Sequence, residues 1–536
     1  MGGNMDLHGN NLVAGEWVSG NAPNRFRSAN PTTGEALEPF FHDADQTQVQ
    51  EACAQAQEAF LEFKKVPVTE RANLLETLAD EVESRADTIL LRAQKETALG
   101  EPRLQMELAR TVAQPRLFAK LIREGSWVDA RIDRSDPSRQ PLPRPSLRSM
   151  LQPIGPIAVF GASNFPLAIS VSGTDTVCAF AAGCPVIIKA HPAHPGTCEA
   201  TAEAVLAAIR KHDLPPGLFS LLHGQSTDVG QSIVAQPGLA AVAFTGSLTG
   251  GRALMDAAAA RKVPIPVFAE MGSLNPVFLL PGALRENGPR IAEGFVQALT
   301  LGVGQFCTNP AIVLATDTPE LDNFVAQAVE HISASNPATM LHEGIHRNYH
   351  ELGEKFRNTP RVQIIAQTTT ADSGRLEADA CLLETDYVTW TRTPELRQEC
   401  FGPTAILIRA RNEDELIDFA RQMEGSLTAT LHATQTDLDR HHPLRNLLES
   451  RVGRLVYNGF PPGVEIGHAT HHGGPYPATS TGAHTSIGTG SIRRFVRPVC
   501  YQNCPDSQLP AELQDANPLG ISRTLDGHPS RSPASK

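Results

Sequence analysis

No stretch of this 536-residue chain is apolar for long enough to span a bilayer, so an integral helical membrane protein is not expected. Its 46 basic residues are outnumbered by 58 acidic ones and are dispersed rather than clustered, giving a formal net charge of -12. That removes the electrostatic footprint which nucleic acid or an anionic membrane demands, and leaves a small molecule as the expected partner. The nine cysteines (Cys53, Cys178, Cys184, Cys198, Cys307, Cys381, Cys400, Cys500 and Cys504) are odd in number and widely scattered. None forms a CxxC pair at metal-finger spacing, so neither a disulfide framework nor a zinc finger is expected, and a reducing cytoplasm suits them. No repeat of roughly 20 to 50 residues recurs, which argues against a solenoid or propeller. The opening MGGNMDLHGN lacks a basic flank and an apolar core, and Asp6 stands where a myristoylation motif needs Ser or Thr. Neither an export signal nor a lipid anchor is expected there. No metal is expected either: His468, His471 and His472 crowd together, but without a carboxylate or cysteine at helical or finger spacing they read as a glycine-rich loop.

What is present is material for a large core. At 41% hydrophobic, a chain of this length should divide into two or three domains. Residues 43–100 carry a helical pattern, with Leu74, Leu78 and Val82 on one stripe and Gly100 placed as a C-cap. Residues 131–150 hold four prolines among polar residues, too broken for a helix and suited to an extended arm that pairs with another subunit. From 157 to 269, short apolar runs alternate with helical stretches. The runs are IAVF (157–160), VIIK (186–189), FSLL (219–222), AAVAF (240–244) and PVFA (266–269), and the helical stretches cover 166–182, 196–211, 226–236 and 247–261. This alternation predicts the α/β class, with a doubly wound parallel sheet covered on both faces. A second α/β region, 275–473, repeats the pattern with PVFLL, AIVLA and TAILIRA. The polar, Pro- and Ser-rich end, 515–536, reads as a loose tail.

In a doubly wound sheet, ligands sit at the carboxyl ends of the strands. Asn164, Lys189, Gly246 and Glu270 all fall at such ends and would line one crevice. Glu270, in AEMGS, closes an apolar strand; burial would raise its pKa toward neutrality, as a general base acting on water requires, although a capping or salt-bridged glutamate would look the same. Cys307, in GQFCTNP, lies among small and polar residues whose N–H groups can lower a thiol pKa; most single cysteines are inert core residues. Asn164, in GASNFP, offers an amide to an oxyanion or is simply a turn residue. The turn that runs through Gly246, Ser247, Gly250 and Gly251 opens a helix whose N–H groups can face a pyrophosphate, though glycine turns are also common packing features. Lys189 can bond ribose hydroxyls or a phosphate.

Taken together, FTGS (244–247), AEMGS (269–273), GQFCTNP (304–310) and ECFGP (399–403) resemble, in order and spacing, the aldehyde dehydrogenase superfamily. The resemblance implies that Cys307 is the nucleophile, Glu270 the base and Asn164 the oxyanion donor. It further implies that Glu399 and Phe401 hold the nicotinamide ribose and ring, that Lys189 bonds the adenosine ribose, and that a small-molecule aldehyde is the substrate. Ser163 stands where most members carry tryptophan, and Pro192 where many NAD-preferring members carry glutamate. With KAHPAHPGT (189–197) and the segment 493–510, these departures resemble the α-ketoglutaric semialdehyde (2,5-dioxovalerate) dehydrogenase branch. Loss of that glutamate removes a charge that would repel a 2'-phosphate, so NADP or NAD is the implied cofactor, with the balance toward NADP; GQSTDVG (224–230) supplies no arginine to clamp the phosphate. The implied domains are 1–130 with 154–272 for the cofactor, 273–473 for catalysis, and 131–153 with 491–510 for assembly into a homodimer or homotetramer. Residues 460–472 are candidates for the substrate loop. The alternatives are a dehydrogenase of fatty or other aliphatic aldehydes and an esterase-like thiol hydrolase.

Overall fold

The computed structural model describes residues 7–20, 24–368 and 374–534; Asp6 and the rest of the opening hexapeptide lie outside the described residues. The helical run begins with Gln46–Phe63, capped by Asp45, whose carboxylate accepts the Gln48 backbone N–H. It then breaks twice, giving Val68–Ser84 and Ala86–Thr97. Pro67 opens the second helix and Arg85, with non-helical φ and ψ, separates it from the third. Leu74, Leu78 and Val82 are buried together as their spacing requires. Gly100 is not a C-cap: Ala98, in the left-handed region at φ 53°, ends the third helix, and Gly100 opens the next, Glu101–Glu124. Pro102 just inside that helix marks a start rather than a stop.

Two seven-stranded sheets organise the molecule. In the first, the strands Val267–Glu270, Ala241–Thr245, Ile157–Phe160, Val186–Lys189 and Phe219–Leu222 lie side by side in parallel, in that order, followed by antiparallel Asn11–Val13 and Glu16–Val18. This is the doubly wound sheet that the alternation anticipated. Thr245 pairs with Glu270 and Phe160 with Lys189, so the strand ends are level and the chemistry-bearing residues emerge on one rim. The order reverses between Ile157–Phe160 and Ala241–Thr245, which opens a crevice there. The stretch 166–182 is helical only as Thr174–Ala182.

The second sheet runs Gln363–Gln367, Cys381–Asp386, Thr404–Ala410, Ile312–Thr316, Val277–Leu279, Ser426–His432 and Val452–Tyr457, parallel except for its first edge strand. The prolyl segment contributes Arg131–Asp133 and Leu147–Pro153 to a separate five-stranded sheet with Val496–Gln502. The carboxy-terminal stretch is not a loose tail. Arg523–Leu525 pairs in parallel with Arg131–Asp133 and His528–Ser530 folds back beside it, while Leu513, Ile521 and Ala534 join the main core. Three apolar anchors and two strands outweigh the disorder that its Pro- and Ser-rich composition suggests. Among the described residues no helix is long and apolar enough to cross a membrane.

Candidate active site

Glu270 is the last residue of its strand and is buried. The segment after His472 is stitched along this strand: the Met271 N–H donates to the Ala478 carbonyl (2.8 Å) and the Ser480 N–H to the Ala269 carbonyl (2.9 Å). The glycine-rich reading of 471–474 is right about the backbone, since a Cβ on Gly473 would lie 2.7 Å from the His484 carbonyl oxygen. What it missed is the side chain that the loop delivers. His472, buried, places Nε2 2.9 Å from Glu270 Oε1 and 3.5 Å from Cys307 Sγ. The Ser486 hydroxyl donates to Glu270 Oε2 (2.6 Å). Cys307, Glu270 and His472 thus form one cluster, their ligand-capable atoms all within 4.8 Å of one another.

The protonation states differ from the sequence expectation. Burial pushes Glu270 upward, but the charge and hydrogen bond of His472, with the Ser486 hydroxyl, outweigh it and hold the carboxyl below its ordinary range. The Cys307 thiol is pushed well above its ordinary value, first by burial and then by the adjacent Glu270 charge. Glycine and amide neighbours do not make it a resting thiolate; it needs a proton acceptor, and Glu270 and His472 are both in reach.

The Cys307 backbone is held from the second sheet. Asn275, buried at φ 46°, donates from Nδ2 to the carbonyls of Cys307 (2.9 Å) and Asn309 (3.0 Å). Asn164 donates from Nδ2 to the Gln305 carbonyl (3.0 Å), so its amide sits against the Cys307 loop with a second N–H to offer. Gly304, at φ 64°, lets the ECFGP turn press against this loop; a Cβ there would lie 2.4 Å from the Gly402 carbonyl carbon.

The pattern of the Aldehyde dehydrogenase family matches residues 17–346, more than half of the chain. The chain belongs to the aldehyde dehydrogenase family. It is 46% identical to the "Alpha-ketoglutaric semialdehyde dehydrogenase 2" of Azospirillum brasilense over 98% of this chain and 99% of that protein. It is 40% identical to the Acinetobacter baylyi "Alpha-ketoglutaric semialdehyde dehydrogenase" over 97% and 98% of the two chains. Among solved structures, the NAD+ complex of a Bacillus cereus aldehyde dehydrogenase superposes with a TM-score of 0.79 at 19% identity, covering 93% of this chain and 97% of that one. The NADP complex of an NADP-dependent glyceraldehyde-3-phosphate dehydrogenase from Bacillus halodurans gives 0.78 at 21%, covering 93% and 100%.

Members of the family use NAD or NADP, and this aldehyde dehydrogenase has a cleft that fits such a cofactor. A cavity of about 550 Å³, lined by the rings of Phe160 and Phe244, holds Lys189 and Ser226 as well as Cys307 and Glu399 in its walls. Ser247 caps the Leu248–Ala259 helix by accepting the Gly250 N–H (3.1 Å), while residues 246–249 are exposed, leaving that helix start open to a phosphate. Gly251 has no room for a side chain: a Cβ would meet Met271 Sδ at 2.5 Å. Lys189 donates to the Gly224 carbonyl, and burial lowers its pKa to about 8. At the other end, Glu399 accepts the Ser273 N–H (3.2 Å); burial and then the Glu270 charge raise it to about 7. Gly272 is what admits it, since a Cβ there would lie 2.6 Å from Glu399 Oε2. Phe401 lines the same end.

A second cavity, about 470 Å³, also reaches Cys307. Phe165, Ile169 and Phe306 form its apolar wall, with Arg103 and Arg110 beside them. Of the expected substrate loop 460–472, Gly463, Val464, Glu465 and His472 line it. Phe460 does not; its ring packs on His432 at 4.7 Å instead.

Proposed function

We propose that this aldehyde dehydrogenase oxidises α-ketoglutaric semialdehyde to 2-oxoglutarate, with NADP or NAD as hydride acceptor and Cys307 as the covalent centre. The observation that carries the reading is the meeting of Cys307, Glu270 and His472 at the junction of two cavities. The two full-length relatives named for that substrate support its identity.

Cys307 Sγ gives up its proton to solvent through Glu270 or His472, leaving Glu270 ionised, and bonds to the aldehyde carbon. The resulting oxyanion takes hydrogen bonds from the Asn164 amide and the Cys307 N–H, each worth about 3 to 4 kcal/mol in such a site. The nicotinamide, when bound, supplies the acceptor for the aldehyde hydrogen and its electron pair. Glu399 and Phe401 orient its ribose and ring; Lys189 and the 246–251 turn hold the adenosine end and pyrophosphate. A water then gives its proton to Glu270 and its oxygen to the thioester carbon. The C–S bond breaks, and the acid leaves while the sulfur is regenerated as thiolate.

The preference for NADP rests on charge: among the described residues, the carboxylates that line the cofactor cavity are Glu270 and Glu399, at its Cys307 end. The open edge of Val496–Gln502 suits pairing with a second copy, and we infer a homodimer or homotetramer. The free thiols, Cys500 exposed among them, fit a cytoplasmic enzyme.

A panel of aldehydes assayed with NADP and NAD separately, following absorbance of the reduced cofactor, tests the reading. The semialdehyde with NADP should give the highest kcat/KM. A strong preference for long-chain aliphatic aldehydes would overturn it.

A further inference from the structure

The helix Glu101–Glu124 presents Arg103, Glu107 and Arg110 on one stripe toward the second cavity. The first two are fully engaged. Arg103 Nη1 donates to Glu107 Oε2 (2.7 Å) and its guanidinium lies 4.6 Å from the Phe165 ring centre. Glu107 Oε1 accepts the backbone N–H groups of Leu167 (2.8 Å) and Ala168 (2.9 Å). Neither oxygen of Glu107 takes a hydrogen bond from Arg110 one turn on, although the Glu107 charge favours the Arg110 cation.

Arg110 is in a different state. Its Nε and Nη2 are sealed from solvent and have no hydrogen-bond partner. The guanidinium lies 5.6 Å from the Phe165 ring centre. Buried donors left unmet are costly, so a guanidinium in this position calls for an anion. The nearby cation that is not available is Arg454, whose Nη1 and Nη2 donate to the carbonyls of Gly463 (3.1 Å) and Pro461 (2.6 Å) and so fix the loop beside the cavity. Glu465, at the rim, is exposed and screened by water.

We propose that Arg110 receives the carboxylate of the aldehyde substrate and sets the enzyme's preference for acidic over neutral aldehydes. This rests on the semialdehyde reading above and names the residue that would enforce it. Arg110 and Cys307 line the same cavity, so a guanidinium turned toward it would meet the far-end carboxylate of an aldehyde whose carbonyl is at the sulfur and whose chain lies against Phe165, Ile169 and Phe306. The planar fork of a guanidinium matches a carboxylate with two parallel N–H donors, which an ammonium cannot reproduce.

The test compares wild type, Arg110→Met and Arg110→Lys on 2,5-dioxovalerate, glutaric semialdehyde and pentanal at saturating NADP. The readout is the ratio of kcat/KM for each acid to that for pentanal. Arg110→Met should collapse both ratios by roughly 100-fold, mainly through KM of the acids, as loss of a buried charge partner does. Arg110→Lys should fall between. A ratio that stays constant because all three substrates decline together would assign Arg110 to the scaffold and overturn the proposal, as would undiminished activity on the acids. A wild type that favours glutaric semialdehyde over the 2-oxo acid, with that preference over pentanal lost in Arg110→Met, upholds Arg110 and refutes the named substrate. A wild type indifferent to the carboxylate refutes both.

Discussion

At the scale of single residues, the site turns on one histidine. Without His472, Glu270 would be a buried carboxyl relieved only by the Ser486 hydroxyl and the Cys307 thiol, and burial would push it up. The folded enzyme holds it low, so the ionised base persists down to acid pH and is lost only as pH falls through that depressed value. His472→Asn should therefore move the acid limb of thioester hydrolysis to higher pH. A charge-assisted hydrogen bond of about 1.5 to 3 kcal/mol corresponds to a displacement of roughly one to two pH units. The pH profile of acyl-enzyme breakdown measures it, and an unmoved limb would assign His472 to packing alone. Cys307 and Glu270 were legible in the sequence because each sits in a short, distinctive motif. Their protonation was not: His472 and Ser486 lie 202 and 216 positions from Glu270 along the chain, and nothing local in AEMGS announces them.

At the scale of elements, the strand-and-helix alternation of 157–269 was readable because each strand is a short apolar run ended by a polar residue, and buried parallel strands need little else. The boundaries were less so. Gly100 carried the mark of a C-cap but takes its role from Pro102 behind it, and the segment from 515 looked disordered until its few apolar residues found a sheet to join. The joint between the two sheets was the least visible feature. Asn275, a side chain at positive φ, contributes to it by tying the end of the first sheet's connection to the Cys307 loop. Asn275→Ala would leave the carbonyls of Ser273, Cys307 and Asn309 short of a donor, at about 1 to 3 kcal/mol each. We expect a lower Tm in thermal unfolding and, because the nucleophile's backbone loosens, a fall in kcat; full retention of both would show that the Cys307 loop is held by other means.

At the scale of the whole molecule, one sheet supplies the rim that carries Lys189 and Glu270, the loop leading into Ile312–Thr316 of the other carries Cys307, and the loop that returns from the second sheet to the first carries His472 between them. On the proposed reading, cofactor and aldehyde would each reach Cys307 through one of the two cavities that it lines, so that hydride transfer and thioester hydrolysis would happen at one sulfur. The most direct test is a single turnover of Glu270→Gln with 2,5-dioxovalerate and NADP, followed by intact mass and peptide mapping. Gln preserves the shape of the side chain but cannot take the proton of the hydrolytic water. The account predicts one equivalent of reduced cofactor formed quickly, with the acyl group retained on Cys307 and released on the order of 100-fold more slowly than in the wild type. Reduced cofactor with no acyl group on Cys307, or an acyl group on another of the nine cysteines, would contradict it.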